Sequence, residues 1–238
     1  MKAALHQSCR RIAGFQESSF IDWEGKICAV IFLSGCSWEC PACHNHELCV
    51  VQKNIEEDFV LSRLTDKKGW IDGVVLLGGE PLLDDDVFVL AEQLKKHGFS
   101  IKLDTNGFSP VRLKYMIENN LVDYIAMDIK SKLTPHEYDR AAGSTGVLDS
   151  VWNSLNILMS SGCDFELRTT VVPTLVALQD LVFNASFFPE GTSYVLQQFS
   201  SSNARDENLR TVAPYKEEEL MEIILEIREK GVRSWLRS

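Results

Sequence analysis

Three cysteines lie close together in the sequence, at Cys36, Cys40 and Cys43. Their C-x3-C-x2-C spacing allows one short loop to present three soft thiolates to a metal centre. An iron–sulfur cube fits this pattern, because three thiolates leave one of its four irons open to a non-protein ligand. A zinc ion with His46 as the fourth ligand is the alternative, although structural zinc sites usually add a distant second pair of ligands. We therefore favour the cluster.

A second motif, Gly78-Gly79-Glu80-Pro81, follows another short apolar stretch. Glycine lacks a Cβ, so the backbone at Gly78 and Gly79 can approach a ligand closely, while Glu80 offers a hydrogen-bond acceptor. An ordinary turn between a strand and a helix would have the same features, with Pro81 near the helix start. Because the cysteine loop also follows an apolar stretch, we interpret both motifs as parts of one binding site.

The apolar stretches predict β-strands that alternate with helices. Six strands are predicted, at residues 27–33, 73–77, 100–103, 124–127, 165–172 and 193–198. Near-continuous apolar strands joined by helices indicate a parallel sheet covered by helices. We predict an α/β fold, an incomplete (β/α)6 TIM-like barrel with a mainly parallel sheet. Such folds bind ligands at the carboxyl ends of the strands, where further polar candidates lie: Asp104, Thr105, Asp128, Lys130 and Gln198.

The composition is that of a globular protein, with 238 residues, of which 45% are hydrophobic and 24% charged. We predict one domain over residues 1–238, with an N-terminal segment (1–26), a partial barrel (27–198) and a C-terminal loop and helix (199–238). The net charge of −10 argues against binding to nucleic acid or anionic membranes. No signal peptide or membrane-spanning run is evident, and the seven cysteines do not resemble a disulfide framework, so we expect a cytoplasmic protein.

The cysteine motif followed by Gly78-Gly79-Glu80-Pro81 resembles the radical S-adenosylmethionine (SAM) superfamily. Further stretches resemble the activating proteins of anaerobic ribonucleoside-triphosphate reductase, which are relatives of the pyruvate formate-lyase activating enzymes. These stretches are spread over nearly the whole chain and lie at residues 14–16, 21–26, 43–45, 103–107, 123–130, 168–173 and 194–199.

The resemblance implies a [4Fe-4S] cluster held by the three cysteines, with SAM chelated to the open iron. Reductive cleavage of SAM would give methionine and a 5′-deoxyadenosyl radical, which would take a hydrogen from a glycine of a partner enzyme, the anaerobic ribonucleotide reductase. A flavodoxin-type protein would supply the electron. Other readings stay open: a radical SAM enzyme that acts on another glycyl-radical enzyme, a peptide or a small molecule, or a zinc-stabilised binding module without catalysis.

The resemblance also implies roles for the polar candidates. Residues 78–80 would contact the methionine part of SAM. Asp104 would accept hydrogen bonds from the ribose, or would join Thr105 and Asp128 around a monovalent cation; its alternative role is an Asx turn. Lys130 would pair with the SAM carboxylate, unless it is a solvated loop lysine. Arg168 could reach the same region, because a guanidinium inside an apolar strand needs an anionic partner.

The sequence departs from the family pattern at two positions. The residue before the last cysteine, usually aromatic and close to the adenine, is Ala42, so the adenine contact would fall to Trp38 or to the backbone of Ala42 and His44. Gln198 stands near a position where the formate-lyase activating enzymes carry a histidine, and it is our candidate substitute.

Overall fold

A computed structural model describes residues 11–50 and 54–237. Within this part of the chain, eight strands form one sheet in which spatial order follows chain order. They are β1 (Ile12–Ser19), β2 (Cys28–Leu33), β3 (Gly73–Gly78), β4 (Ser100–Thr105), β5 (Tyr124–Asp128), β6 (Asp164–Val171), β7 (Ser193–Gln198) and β8 (Arg233–Arg237). The pairs β2–β3, β3–β4, β6–β7 and β7–β8 are parallel, whereas β1 and β2 are antiparallel.

Helices separate the parallel strands along the chain. Over the described residues these are α1 (Glu57–Asp66), α2 (Asp86–Lys96), α3 (Pro110–Glu118), α4 (Pro135–Ala142), α5 (Leu148–Ser160), α6 (Leu178–Ala185) and α7 (Glu217–Glu229). Short 3-10 helices lie at His46–Cys49, Pro81–Leu83 and Glu207–Thr211. The alternation of strand and helix confirms the predicted α/β class with a mainly parallel sheet, and the strand order is that expected of an incomplete TIM-like barrel.

All six predicted strands are present as β2 to β7, with ends within two residues of the prediction. Their apolar residues are buried on both faces, as parallel strands require; Val74, Val75 and Leu76 of β3, for example, are fully buried. The prediction of six strands was too low, because β1 and β8 extend the sheet. Strand β8 lies in the segment predicted as a C-terminal loop and helix (199–238).

Strand β1 was missed because it has no continuous apolar run. It pairs with β2 in a register that places Ile12 opposite Leu33 and Ser19 opposite Cys28, with two irregularities between these pairs. Gln16 and Ser18 are exposed, so the strand carries polar residues on one side, as a strand at the edge of a sheet often does.

The described residues group into two compact units. The first contains residues 11–37, 47–50, 54–105 and 109–125, and the second contains residues 38–46, 106–108 and 126–237. The division of residues 1–238 into one domain with three parts therefore stays a prediction. No helix among the described residues has both the length and the apolar character needed to cross a bilayer.

Each unit has its own buried aromatic residues. In the first, Trp23 packs with Cys28, Val30 and Val75, and its ring centroid lies 6.1 Å from that of Tyr124. In the second, Tyr194 of β7 makes an edge contact with Phe188 at 5.1 Å between centroids. The Tyr194 hydroxyl also lies 2.8 Å from Thr169 Oγ1, which satisfies both buried hydroxyl groups.

Candidate active site

The Gly78–Glu80 turn at the end of β3 is bonded to the segment that leads into Cys36. The amide of Gly79 donates to the Leu33 carbonyl at 2.8 Å, and the amide of Glu80 donates to the Gly35 carbonyl at 2.8 Å. A Cβ at Gly79 would overlap the Gly35 carbonyl and would lie 3.3 Å from the Cβ of Cys36. The glycine is therefore required by the protein's own backbone, whereas its contact with SAM stays a prediction.

Gly78 is subject to a second constraint. Its φ of +137° lies outside the range that L-residues readily adopt, and a Cβ there would overlap the carbonyl of Leu33. Both glycines of the motif thus fix the course of the chain immediately before Cys36.

Glu80 is fully buried, and its carboxylate binds within the first unit. One oxygen, Oε1, accepts hydrogen bonds from the amide of Leu82 at 2.9 Å and from Thr105 Oγ1 at 2.8 Å. Its main-chain carbonyl accepts from Arg11 Nη2 at 2.9 Å, and Arg11 Nε pairs with Asp84 at 3.2 Å. Leu82, Thr105 and Arg11 thus all donate hydrogen bonds to Glu80 and fix the turn. The role of Glu80 towards the SAM ammonium stays a prediction.

Asp104 pairs with a lysine on its own strand. Lys102 Nζ lies 3.0 Å from Asp104 Oδ1 and donates to the main-chain carbonyl of Asp22. Lys102 is only 2% exposed. The sequence did not single out this lysine, although residues two apart on a strand share a face, and an apolar strand that contains Lys and Asp at this spacing signals an ion pair.

The loop that carries Cys40 and Cys43 is held by main-chain hydrogen bonds within the second unit. The amide of Cys43 donates to the Cys40 carbonyl at 3.1 Å, while the Pro41 and Cys43 carbonyls accept from Asp206 at 2.9 Å and Arg205 at 3.2 Å. These bonds use main-chain groups only, and the role of both thiols as ligands stays a prediction. None of the six cysteines within the described residues is in a disulfide: Cys28, Cys36, Cys40, Cys43, Cys49 and Cys163.

The residues proposed for adenine binding lie in the same loop. His44 has its carbonyl bonded to Asn203 Nδ2 at 2.8 Å, its Nε2 bonded to the Ser200 carbonyl, and its ring centroid 6.1 Å from that of Phe199. Ala42 is half-buried. Trp38 is only 2% exposed and packs edge-on against Tyr138 at 6.2 Å, so it is a core residue here and not the open aromatic surface that the sequence suggested.

Asp128 is neutralised by two cationic side chains. Arg168 Nε and Nη2 lie 2.9 and 2.8 Å from Asp128 Oδ1, and Lys130 Nζ lies 2.8 Å from Oδ2. The prediction that Arg168 has an anionic partner is confirmed, and that partner is Asp128. Burial raises the pKa of Asp128, but the charges and hydrogen bonds of Arg168 and Lys130 outweigh it and lower the pKa to about 2.

The Asp128 cluster has a net positive charge, since two cations face one carboxylate. Burial lowers the pKa of Lys130, but the charges of Asp128, Cys40 and Cys43 and the hydrogen bond that Lys130 donates to Asp128 raise it far more, so the ammonium stays charged. Tyr138, which the sequence did not single out, accepts from the amide of Lys130 at 3.3 Å. A positive charge of this kind suits an anionic group such as a carboxylate.

The ion pairs give no support to the predicted monovalent cation. Asp104 already faces Lys102, Thr105 donates to Glu80, and Asp128 faces Arg168 and Lys130. Two of the three oxygen ligands expected for the cation are thus carboxylates whose charge is balanced by side chains.

The side chain of Gln198 makes a long-range hydrogen bond that could not be predicted from the sequence. Its Nε2 donates to the main-chain carbonyl of Tyr215 at 2.9 Å, across 17 residues of chain. A role towards a cofactor, in place of a histidine, stays a prediction.

The sequence model described as the radical SAM superfamily matches residues 30–177, which is more than half of the chain. The chain belongs to the radical SAM superfamily. Members of this superfamily use a [4Fe-4S] cluster and SAM, so the protein is a radical SAM enzyme. The donor chemistry suits such a cluster, because three cysteines outside any disulfide follow the spacing of the family and Lys130 adds positive charge beside Cys40 and Cys43. That these three cysteines hold the cluster stays a prediction. Among the described residues, no three His, Cys, Asp or Glu side chains are grouped to hold a single metal ion.

Two relatives of this radical SAM enzyme come from Methanocaldococcus jannaschii, and both are provisionally named glycyl-radical enzyme activating enzymes. One is 31% identical over 223 residues, which cover 89% of each chain. The other is 27% identical over 172 residues, which cover 71% of this chain and 65% of the relative. The solved structure of QueE from Escherichia coli is similar in fold, with a TM-score of 0.52 and 15% identity over 96% of this chain and 94% of that one.

Proposed function

We propose that this radical SAM enzyme is a glycyl-radical enzyme activating enzyme and that its substrate is an anaerobic ribonucleotide reductase. The likeness to the M. jannaschii protein over 89% of both chains carries the first part of the proposal. The second part rests on the sequence stretches that resemble the activating proteins of that reductase, such as residues 103–107 and 123–130.

When bound, the cluster and SAM would supply the one-electron radical chemistry that would remove a hydrogen atom from a glycine α-carbon of the reductase. Cys36, Cys40 and Cys43 would hold the cluster. The Gly78–Glu80 turn would keep Cys36 in place through its hydrogen bonds to Leu33 and Gly35.

The protein's charged side chains would orient SAM. Lys130 and Arg168 would attract its carboxylate, because they outnumber the single carboxylate of Asp128 between them. Glu80 would accept from its ammonium, and Asp104 from its ribose. The main chain of Ala42 and His44 would face the adenine, with Gln198 as a further polar contact. A flavodoxin-type protein would donate the electron.

The test uses the anaerobically reconstituted 238-residue protein, SAM, a flavodoxin-type reductant and the purified reductase. We expect a glycyl-radical signal in electron paramagnetic resonance spectra of the reductase, together with formation of 5′-deoxyadenosine. Changing the reductase glycine to alanine should remove the signal. Cleavage of SAM without a radical on the reductase would refute the substrate assignment and would favour another protein, peptide or small molecule.

The cluster assignment has its own control. Cys36→Ala, Cys40→Ala and Cys43→Ala should each abolish SAM cleavage and the iron–sulfur absorption of the reconstituted protein. Cys163→Ala, which changes a cysteine outside the motif, should leave both unchanged. Retained cleavage in the three motif variants, or a colourless protein that contains zinc alone, would contradict the assignment.

A further inference from the structure

Lys102 lies in the interior of the first unit, near the middle of β4. It is 2% exposed, so its ammonium is removed from water and needs anionic or carbonyl partners. A buried ammonium without partners would lower the stability of the fold, so the two partners of Lys102 indicate what balances its charge.

The two partners of the ammonium come from different parts of the chain. Nζ lies 3.0 Å from Oδ1 of Asp104, which is on the same face of β4 and whose side chain is 14% exposed. Nζ also donates to the main-chain carbonyl of Asp22, in the segment between β1 and β2. Lys102 therefore ties the end of β4 to that segment.

Cys28 is an ionisable side chain that these charges affect. Burial, together with the charges of Asp22 and Asp104, raises the pKa of the Cys28 thiol to about 11, against a smaller lowering by Lys102. The thiol stays neutral, so it does not compete with Asp104 for the ammonium.

We propose that the Lys102 ammonium is the resident counter-charge of Asp104 and takes the place of an inorganic monovalent cation. A tethered ammonium is present at every salt concentration, whereas a bound Na⁺ or K⁺ would make folding stability depend on its concentration. Lys102 would have this role towards Asp104 whichever substrate the enzyme acts on.

The first test uses the reconstituted wild-type protein. Its thermal midpoint is measured anaerobically in sodium, potassium and choline chloride at equal ionic strength. We expect the same midpoint in all three salts, and the same rate of SAM cleavage. A saturable rise of several degrees with Na⁺ or K⁺ that Asp104→Asn abolishes would overturn the proposal.

The second test removes the ammonium while keeping most of the apolar stem. Lys102→Met should have a lower midpoint in choline chloride and should regain part of the loss, saturably, with Na⁺ or K⁺. Lys102→Met/Asp104→Asn removes both charges, so it should fold and show no such response, which keeps the test informative if the single variant does not fold.

Lys95→Met is the matched control, because Lys95 pairs with Asp123 at a more exposed position. It should show no cation-selective response. If Lys102→Met is as stable as the wild type in choline chloride, or if the double variant still responds to Na⁺ or K⁺, the assignment of Lys102 as the counter-charge is wrong.

Discussion

The Gly78–Glu80 turn and the Asp128 cluster, which consists of Asp128, Lys130 and Arg168, are held by different forces. The turn depends on main-chain hydrogen bonds of 2.8 Å and on the absence of two Cβ atoms. The cluster depends on ion pairs of 2.8 to 2.9 Å between side chains, and the Asp128 and Lys130 side chains are each 28% exposed. The backbone of the turn can therefore adopt only one conformation. The Asp128 cluster, in contrast, has charged side chains that can exchange partners with a ligand.

The largest effect is expected from Gly79→Ala. The new methyl group would overlap the Gly35 carbonyl, a backbone atom that cannot move without displacing Cys36. We expect the free energy of unfolding to fall by about 3 kcal/mol. Gly162→Ala is the control, because nothing lies within 4 Å of a Cβ there, and it should change stability by less than about 0.5 kcal/mol.

Urea unfolding followed by circular dichroism measures both variants. If Gly79→Ala is as stable as Gly162→Ala, the main-chain contacts do not constrain the turn. The difference drawn between the turn and the Asp128 cluster would then disappear.

Arg168→Met tests the Asp128 cluster. It leaves Asp128 with Lys130 alone, and we expect a loss of about 2 kcal/mol, less than for a fully buried pair because Asp128 is partly exposed. Arg168→Met/Asp128→Asn should recover part of the loss, since both charges are then absent. Equal stability of the single and double variants in urea unfolding would show that the pair is not coupled.

The contribution of the Asp128 cluster to folding stability should also depend on pH. The pKa of Asp128 is lowered to about 2 in the folded protein, so its carboxylate stabilises the fold above its ordinary pKa and loses this effect as the pH falls from about 4 to 2. The loss amounts to about 2 kcal/mol over that range. Wild type and Asp128→Asn should therefore converge in unfolding free energy on acidification; a constant difference between them would contradict the ion pairing.

The smallest effect is expected from Thr105→Val. It removes the hydrogen bond from Thr105 Oγ1 to the buried Glu80 carboxylate and should cost about 1 kcal/mol. Thr211→Val removes an exposed hydrogen bond to the Asn208 carbonyl and should cost less than about 0.5 kcal/mol. Differential scanning calorimetry compares the two, and equal midpoints would mean that the bond adds nothing to the turn.

Much of the fold could be predicted because parallel strands are buried on both faces. Strands β2 to β7 appear in the sequence as continuous apolar runs, and β3 with Val74, Val75 and Leu76 is the clearest example. Strand β1 could not be found in this way, because pairing at a sheet edge leaves residues such as Gln16 and Ser18 in solvent. This segment is a strand because its main chain pairs with β2.

The site residues could be predicted where chemistry demands a partner. Arg168 inside an apolar strand had to meet an anion, and it meets Asp128. The contacts that the sequence did not reveal join distant segments: Arg11 to Glu80, and Lys102 to Asp22. Trp38 was one of two alternatives for the adenine contact because it lies close to the motif in sequence, but its side chain packs in the core.

The contacts of Arg11 also affect how the protein should be produced. A fragment cut to the family match, residues 30–177, would lack Arg11, β1, β7 and β8. The hydrogen-bonding edges of β2 and β6 would then be open, and edges of this kind promote aggregation. Shortened versions should therefore keep the chain from Arg11 onward, and insoluble material from a fragment trimmed to residues 30–177 would say nothing about the chemistry of its cysteines.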